Sequence, residues 1–310
     1  MERAPVYDDG LEESSLYDED EEDRAEFLAP SPVEPLFPEI DREPGSPDAA
    51  AWIAAIQPVT RLQLLEQLMP EPVLAGAFRR QLIAATAGAA GRLGHPCSVE
   101  ALTKALVFTH EQTSPGVSRS LEIHAYLARA LARPGADQNW TDRIRQIHPG
   151  FELDVFALPL LEGLTAFYTE IARARADQVG EPTVTAIEAL GLAQMLGLNR
   201  PFFLETRSYL DARDDAATRL LHHAAGAESQ VQHLHGLWAT LPSPSKNGGD
   251  PVLRRVAMLA VEWPGLSAPG AAEALGISKP AARQAIEKLS RAGFLQEMTR
   301  RETWRYWRAG

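Results

Sequence analysis

Residues 266–307 read LSAPGAAEALGISKPAARQAIEKLSRAGFLQEMTRRETWRYW. The spacing of apolar residues, glycines and capping residues in this stretch predicts an ordered series of elements. A short helix over Ala268 to Leu275 turns Ala271, Ala272 and Leu275 to one face, where small side chains let a second helix cross closely. Gly276 follows, at a corner where the chain needs a positive φ, and Ile277 plugs that corner. Ser278 is an N-cap type and Pro280 suits the first turn of a helix. The helix they open, about Lys279 to Ala292, carries Ala282, Ala285, Ile286 and Leu289 on its inner face. Lys279, Arg283, Gln284 and Lys288 fall on the outer one. Gly293 ends it. A strand is expected from Phe294 to Met298, a charged turn from Thr299 to Thr303, and a returning strand from Trp304 to Trp307.

Working upstream, Pro251 to Trp263 reads as a helix with Val252, Val256, Leu259 and Ala260 as its apolar stripe, ended by Pro264 and Gly265. Residues 250–310 therefore predict a winged helix-turn-helix with a small two-stranded wing. The chemistry of its outer helix points to duplex DNA as the partner. Arg283 and Gln284 are side chains that pair bidentately with guanine and adenine edges in the major groove. Lys279, Lys288 and Arg291 are expected on the same side, Lys279 and Arg291 against phosphates. Arg300 and Arg301 are expected at the wing tip. Glu287 on the outer helix favours the competing reading, a winged helix that binds protein. Trp304, Tyr306 and Trp307 are expected to bury against the first helix rather than stack on bases.

The net charge of −12 opposes nucleic-acid binding until it is divided along the chain. Residues 1–48 hold 17 acidic and 3 basic side chains, whereas residues 250–310 hold 10 basic and 6 acidic ones. An acidic arm thus masks a basic C-terminal domain. The arm includes the run Asp18, Glu19, Asp20, Glu21, Glu22, Asp23, and this composition predicts disorder. Two apolar islands interrupt it, Phe27-Leu28 and Leu36-Phe37, candidates to dock on a partner or fold back. The arm is also expected to compete with phosphates for the basic face.

Between the arm and the winged helix, residues 49–241 are rich in Ala and Leu with helical spacing. Helices are expected around Leu62 to Met69, around Leu74 to Ile83, after the N-cap Ser98, and over Ser118 to Ala132. Further ones are expected over Val155 to Ala174, Thr183 to Leu196 and Asp211 to Leu241, the last as the candidate homodimer helix. Residues 242–249, PSPSKNGG, read as a linker. The fold class is mainly α: a helical domain of unassigned role followed by the winged helix.

Other chemistry finds little support. No apolar run approaches the roughly 18 residues that cross a bilayer, so a cytoplasmic protein without membrane partners is expected. Cys97 is the only cysteine, which argues against a disulfide or a structural zinc. His222, His223, Glu228, His233 and His235 share a segment, but a His-x-His pair on a helix splays its rings to different faces. His95 and Cys97 read as loop residues. There is no phosphate-binding glycine loop or dinucleotide fingerprint, and neither cofactor, metal nor catalytic residues are expected.

The stretch quoted above resembles the C-terminal winged helix of many bacterial Fic-domain proteins. It also resembles the tail of an uncharacterised rhizobial helix-turn-helix family, through Leu295, Glu297, Met298, Thr299 and Arg301. The likeness covers about a fifth of the chain. It implies a bacterial protein whose C-terminal domain binds DNA, and it does not extend to Fic activity. The Fic motif His-Pro-Phe-x-Asp-Gly-Asn-Gly-Arg is met only by His148-Pro149, followed by Gly150, Phe151, Glu152, Leu153 and Asp154. No Gly-Asn-Gly nest for phosphates follows. The expected role is a transcriptional regulator; the alternatives are an interaction or plasmid-maintenance protein, or a catalytically dead Fic-related scaffold.

Overall fold

The computed structural model describes residues 47–108, 114–132, 139–201, 216–241, 250–299 and 305–310. The acidic run, the expected linker at 242–249, the expected wing-tip residues Arg300 and Arg301, and Trp304, expected to open the second strand, lie outside them. The described chain is mainly helical, with a two-stranded antiparallel sheet near its end.

Among the described residues, eight α-helices precede the 242–249 segment: α1 Pro47–Leu68, α2 Glu71–Arg92, α3 Val99–Val107, α4 Pro115–Ala130, α5 Trp140–Ile147, α6 Leu160–Ala176, α7 Glu181–Met195 and α8 Ala216–Ala239. Their starts follow local chemistry. The Ser98 hydroxyl accepts from the Ala101 amide at 3.0 Å, and the Asn139 side chain accepts from the Asp142 amide at 2.8 Å. Pro159 stands at the N-cap of α6, so the helix expected from Val155 begins at Leu160, after a 3-10 turn over Leu153–Ala157. Helix α5 was not anticipated, because eight residues give too short a window for periodicity to register. Its signature was the N-cap Asn139. Trp140 is buried beside it and donates from Nε1 to the Leu198 carbonyl at 3.0 Å.

Helices α2 and α7 are the inner ones. α2 packs on α3, α4, α7 and α8 and on the first helix of the C-terminal region, which explains its small side chains. Every residue of α7 from Val184 to Ala193 is buried. Its Glu188 is held by Arg175 at 3.2 Å. α8 lies against α1 and α2, with Leu220, Ala224, Ala227, Val231 and Leu234 buried. The apolar face that the sequence offered to a second copy is thus covered within the chain.

Helices α9 Pro251–Glu262, α10 Ala268–Leu275 and α11 Lys279–Arg291 follow, then β1 Leu295–Glu297 and β2 Trp307–Ala309. The strands pair Leu295 with Ala309, Gln296 with Arg308 and Glu297 with Trp307. The second strand therefore begins at Trp307, three residues after the expected Trp304. The cause is an additional bridge: Trp307 exchanges both backbone hydrogen bonds with Leu266, at 2.8 and 2.9 Å, just after α9. That bridge fixes the register of the wing root from the opposite side. Tyr306 and Trp307 are buried, and the Tyr306 ring meets Phe108 edge-on at 6.1 Å. The aromatic pair accordingly packs inward, Tyr306 reaching the preceding helical region.

The two parts are joined along α2 and α9 with almost no gap. A Cβ on Gly76 would overlap the Val261 carbonyl oxygen, so only glycine lets these backbones approach so closely. Beside it Arg80 reaches the C-terminal end of α9. It donates to the carbonyls of Val261 at 2.8 Å, Ala260 at 3.1 Å and Trp263 at 3.1 Å, and to Gly76 at 3.1 Å. Those helix-end carbonyls have no amide partner further along α9, and the macrodipole favours a cation there. Burial, with Arg308 and Arg79 nearby, lowers the Arg80 guanidinium to about 10. Arg79 pairs with Glu262 at 2.7 Å and covers the Trp263 ring at 4.4 Å.

Candidate nucleic-acid interface

The interface is set up by α10 and the turn after it. Ser267 caps α10 by accepting from the Gly270 amide at 3.1 Å. Gly276 closes α10 at φ +61°, ψ 39°, and the Ile277 amide returns to the Ala272 carbonyl at 2.9 Å. Ser278 then caps α11 by accepting from the Ala281 amide at 3.3 Å. Ala271 and Ala272 of α10 are buried, and so are Ala282, Ala285, Ile286 and Leu289 of α11. Leu275 and Ile277 are half-buried at the rim. Arg255 locks the arrangement by donating to the Leu275 carbonyl at 2.5 Å.

With that face committed to packing, the other face of α11 is left outward. Lys279, Arg283, Gln284, Lys288 and Arg291 are all exposed, Arg283 at 71% and Arg291 at 80%. Lys279, Pro280 and Arg283 also line one side of a cavity of about 410 Å³, with Ala268 and Pro269 of α10 on the other. The groove thus opens between the N-terminal ends of the two helices.

The cations are held lightly by carboxylates. Arg283 contacts Glu287 at 3.0 Å, one helical turn on, and Arg291 contacts the same carboxylate at 3.9 Å. Lys288 reaches Asp250 at 3.2 Å. Asp250 has two duties: Oδ2 meets Lys288, while Oδ1 accepts from the Val252 and Leu253 amides as the N-cap of α9. The Lys288 hydrogen bond holds its carboxyl below the usual range against the opposing effect of desolvation, and the two amides add to it. Arg305, which the sequence reading left out, lies at the wing beside Glu297 at 3.3 Å. Arg308 donates to Gln296 across the sheet at 3.3 Å. Alternation along a strand that could be registered only from the structure was the signal for these two.

Residues considered for other chemistry are scattered. His148 stands at the end of α5 beside a cavity of about 240 Å³ that Phe151, Glu170, Arg173 and Asp177 also line. Arg173 there is engaged by Glu170 at 2.6 Å and by Glu152 at 3.6 Å. On α8, His223 is buried while His222, His233 and His235 are exposed. Glu228 faces Arg61 at 2.7 Å. His95 and Cys97 lie in the segment before α3, and burial pushes the Cys97 thiol up. No protein-family model and no curated protein matches the chain.

Proposed function

We propose that this protein binds duplex DNA through α11 and acts as a bacterial, cytoplasmic transcriptional regulator. The observation that carries the reading is the outward face of α11. Four cationic side chains and Gln284 project from a helix whose opposite face is wholly used in packing. A helix presented this way fits the major groove, with its N-terminal residues nearest the base edges. Arg283 and Gln284 read bases, while Lys279, Lys288 and Arg291 contact phosphates. The wing supplies further backbone contacts through Arg305 and, outside the described residues, Arg300 and Arg301.

The ion pairs with Glu287 and Asp250 are compatible with this role. Exposed pairs are weak, so a phosphate or guanine edge can displace the carboxylate at little cost. The test is selection of bound sequences from random duplexes, followed by anisotropy titration across salt concentrations. A defined motif and a log affinity falling with log salt at a slope of about −3.6 are expected for four phosphate contacts, those of Lys279, Lys288, Arg291 and Arg305. Binding that is indifferent to salt and to Arg283→Ala would refute the reading and leave protein recognition through Glu287 as its replacement.

A further inference from the structure

The first helix presents two faces that chemistry would place indoors. Ala55, Val59 and Leu62 of α1 are buried, the side turned to α8. On the other side Ile53 is 60% exposed, Leu64 53% and Leu68 72%. Ala54, Gln57, Thr60 and Gln67 are the exposed residues between them, and none is charged. Positions 53, 57, 60, 64 and 67 alternate steps of four and three, the spacing that keeps a straight seam along a helix. From Ile53 to Leu68 the strip is about 22 Å long at 1.5 Å per residue. A helix apolar on both sides ordinarily has both sides covered. Among the described residues only one side is.

We propose that residues 33–40 of this same chain, VEPLFPEI, cover the strip. Three features of the chain select them. The first 46 residues enter at the very start of α1, so this segment is tethered beside the strip, and tethering over short spans gives millimolar effective concentration. Its apolar side chains Val33, Leu36, Phe37 and Ile40 are interleaved with Pro35 and Pro38, a composition that favours the extended polyproline conformation. At about 3.1 Å per residue that conformation carries Val33 to Ile40 over about 22 Å, the length of the strip. Val33 and Leu36 are three residues apart, as are Phe37 and Ile40, so each pair recurs on one edge of a three-fold helix. Six residues join Ile40 to Pro47, enough to reverse the chain and set Ile40 on Ile53, with Val33 near Leu68. The acidic run at 18–23 lies upstream of the docked segment and remains in water, where an uncharged strip places no demand on it.

The experiment is an intramolecular thiol cross-link in the full-length chain. Cys97→Ser removes the native thiol; Leu36→Cys is then paired with Thr60→Cys. As a control from elsewhere in the arm, Glu13→Cys is paired with Thr60→Cys; its longer loop of 47 residues against 24 slows closure by only about threefold. Docking predicts that the first pair closes an intrachain disulfide at least tenfold faster than the control. Adding Leu64→Glu should abolish the advantage; because Leu64 is exposed, the variant retains its fold, verified by circular dichroism. Phe37→Glu, which alters only the arm, should do the same. Equal rates for the two pairs, or an advantage that survives both charge substitutions, would overturn the proposal. So would a disulfide that joins two chains in a concentration-dependent manner, which would assign the strip to a second copy.

Discussion

Two arginine-bearing regions of this molecule use the same side chain in opposite ways. At the α2–α9 junction, Arg80 is half-buried and its donors go to four backbone carbonyls. On α11, Arg283 stands in water and touches one exposed carboxylate at 3.0 Å. The first arginine is structural because no other group could satisfy those helix-end carbonyls once they are buried. The second is available because its single partner is replaceable. What separates a structural cation from a binding one is therefore the partner it holds, more than its charge.

Replacing Arg80 by Met should break this contrast most severely. The carbonyls of Ala260 and Val261 at the buried end of α9 lose a charged donor, and a loss of about 3 kcal/mol in urea unfolding is expected, with α9 the first helix to lose hydrogen-exchange protection. Gly76→Ala attacks the same junction sterically. The added methyl meets backbone rather than a flexible side chain, so about 2 kcal/mol should be lost, with a midpoint shift and an unchanged slope. On the other side of the comparison, Arg283→Ala should leave unfolding within about 0.5 kcal/mol while lowering affinity for the selected duplex about 10-fold or more. An unfolding loss as large as that of Arg80→Met would show that α11's cations are also structural.

The helical body also has a pH response of its own. His124 of α4 sits behind Thr86 of α2, ring Nδ1 3.3 Å from the hydroxyl, and burial lowers it to about 4 from 6.5. The folded chain prefers the neutral ring, so the unfolded chain binds the proton more readily between those values. Stability from this group is complete above pH 6.5 and declines as pH falls toward 4. A loss of about 2 kcal/mol is expected between pH 7 and 4.5. His124→Gln should flatten that part of the profile. The smallest effect belongs to Glu287→Gln, which frees Arg283 and Arg291 and should raise affinity for unselected duplex about 3-fold, with a few tenths of a kcal/mol lost from α11.

The C-terminal region was readable because each element there is announced by local chemistry. Ser267 and Ser278 cap, Gly276 turns, and the alanines of α10 state how closely α11 can approach. The bounds Ala268–Leu275 agree with the sequence reading to the residue. The register of β2 was not readable, since it depends on Leu266, some forty residues away in sequence. The Arg80 junction was also missed. Arg79 and Arg80 stand together in a helix of Ala, Leu and Gly with no carboxylate a turn away, which is a hint of distant acceptors, but their location requires the fold. In the body, α2 and α7 are enclosed on several sides and lack the one-sided periodicity that marks a surface helix. The candidate interface residues on α11 were legible for the converse reason: one side is apolar and small, the other long and polar.

The edge-on meeting of Tyr306 with Phe108 has a geometric corollary. Because the root of the wing shares its aromatic contact with the end of α3, the C-terminal region is mounted on the body as on a handle. If two copies act on one operator, the separation and tilt of their recognition helices are then dictated by how the bodies sit. The distance between half-sites becomes a property of residues far from any base.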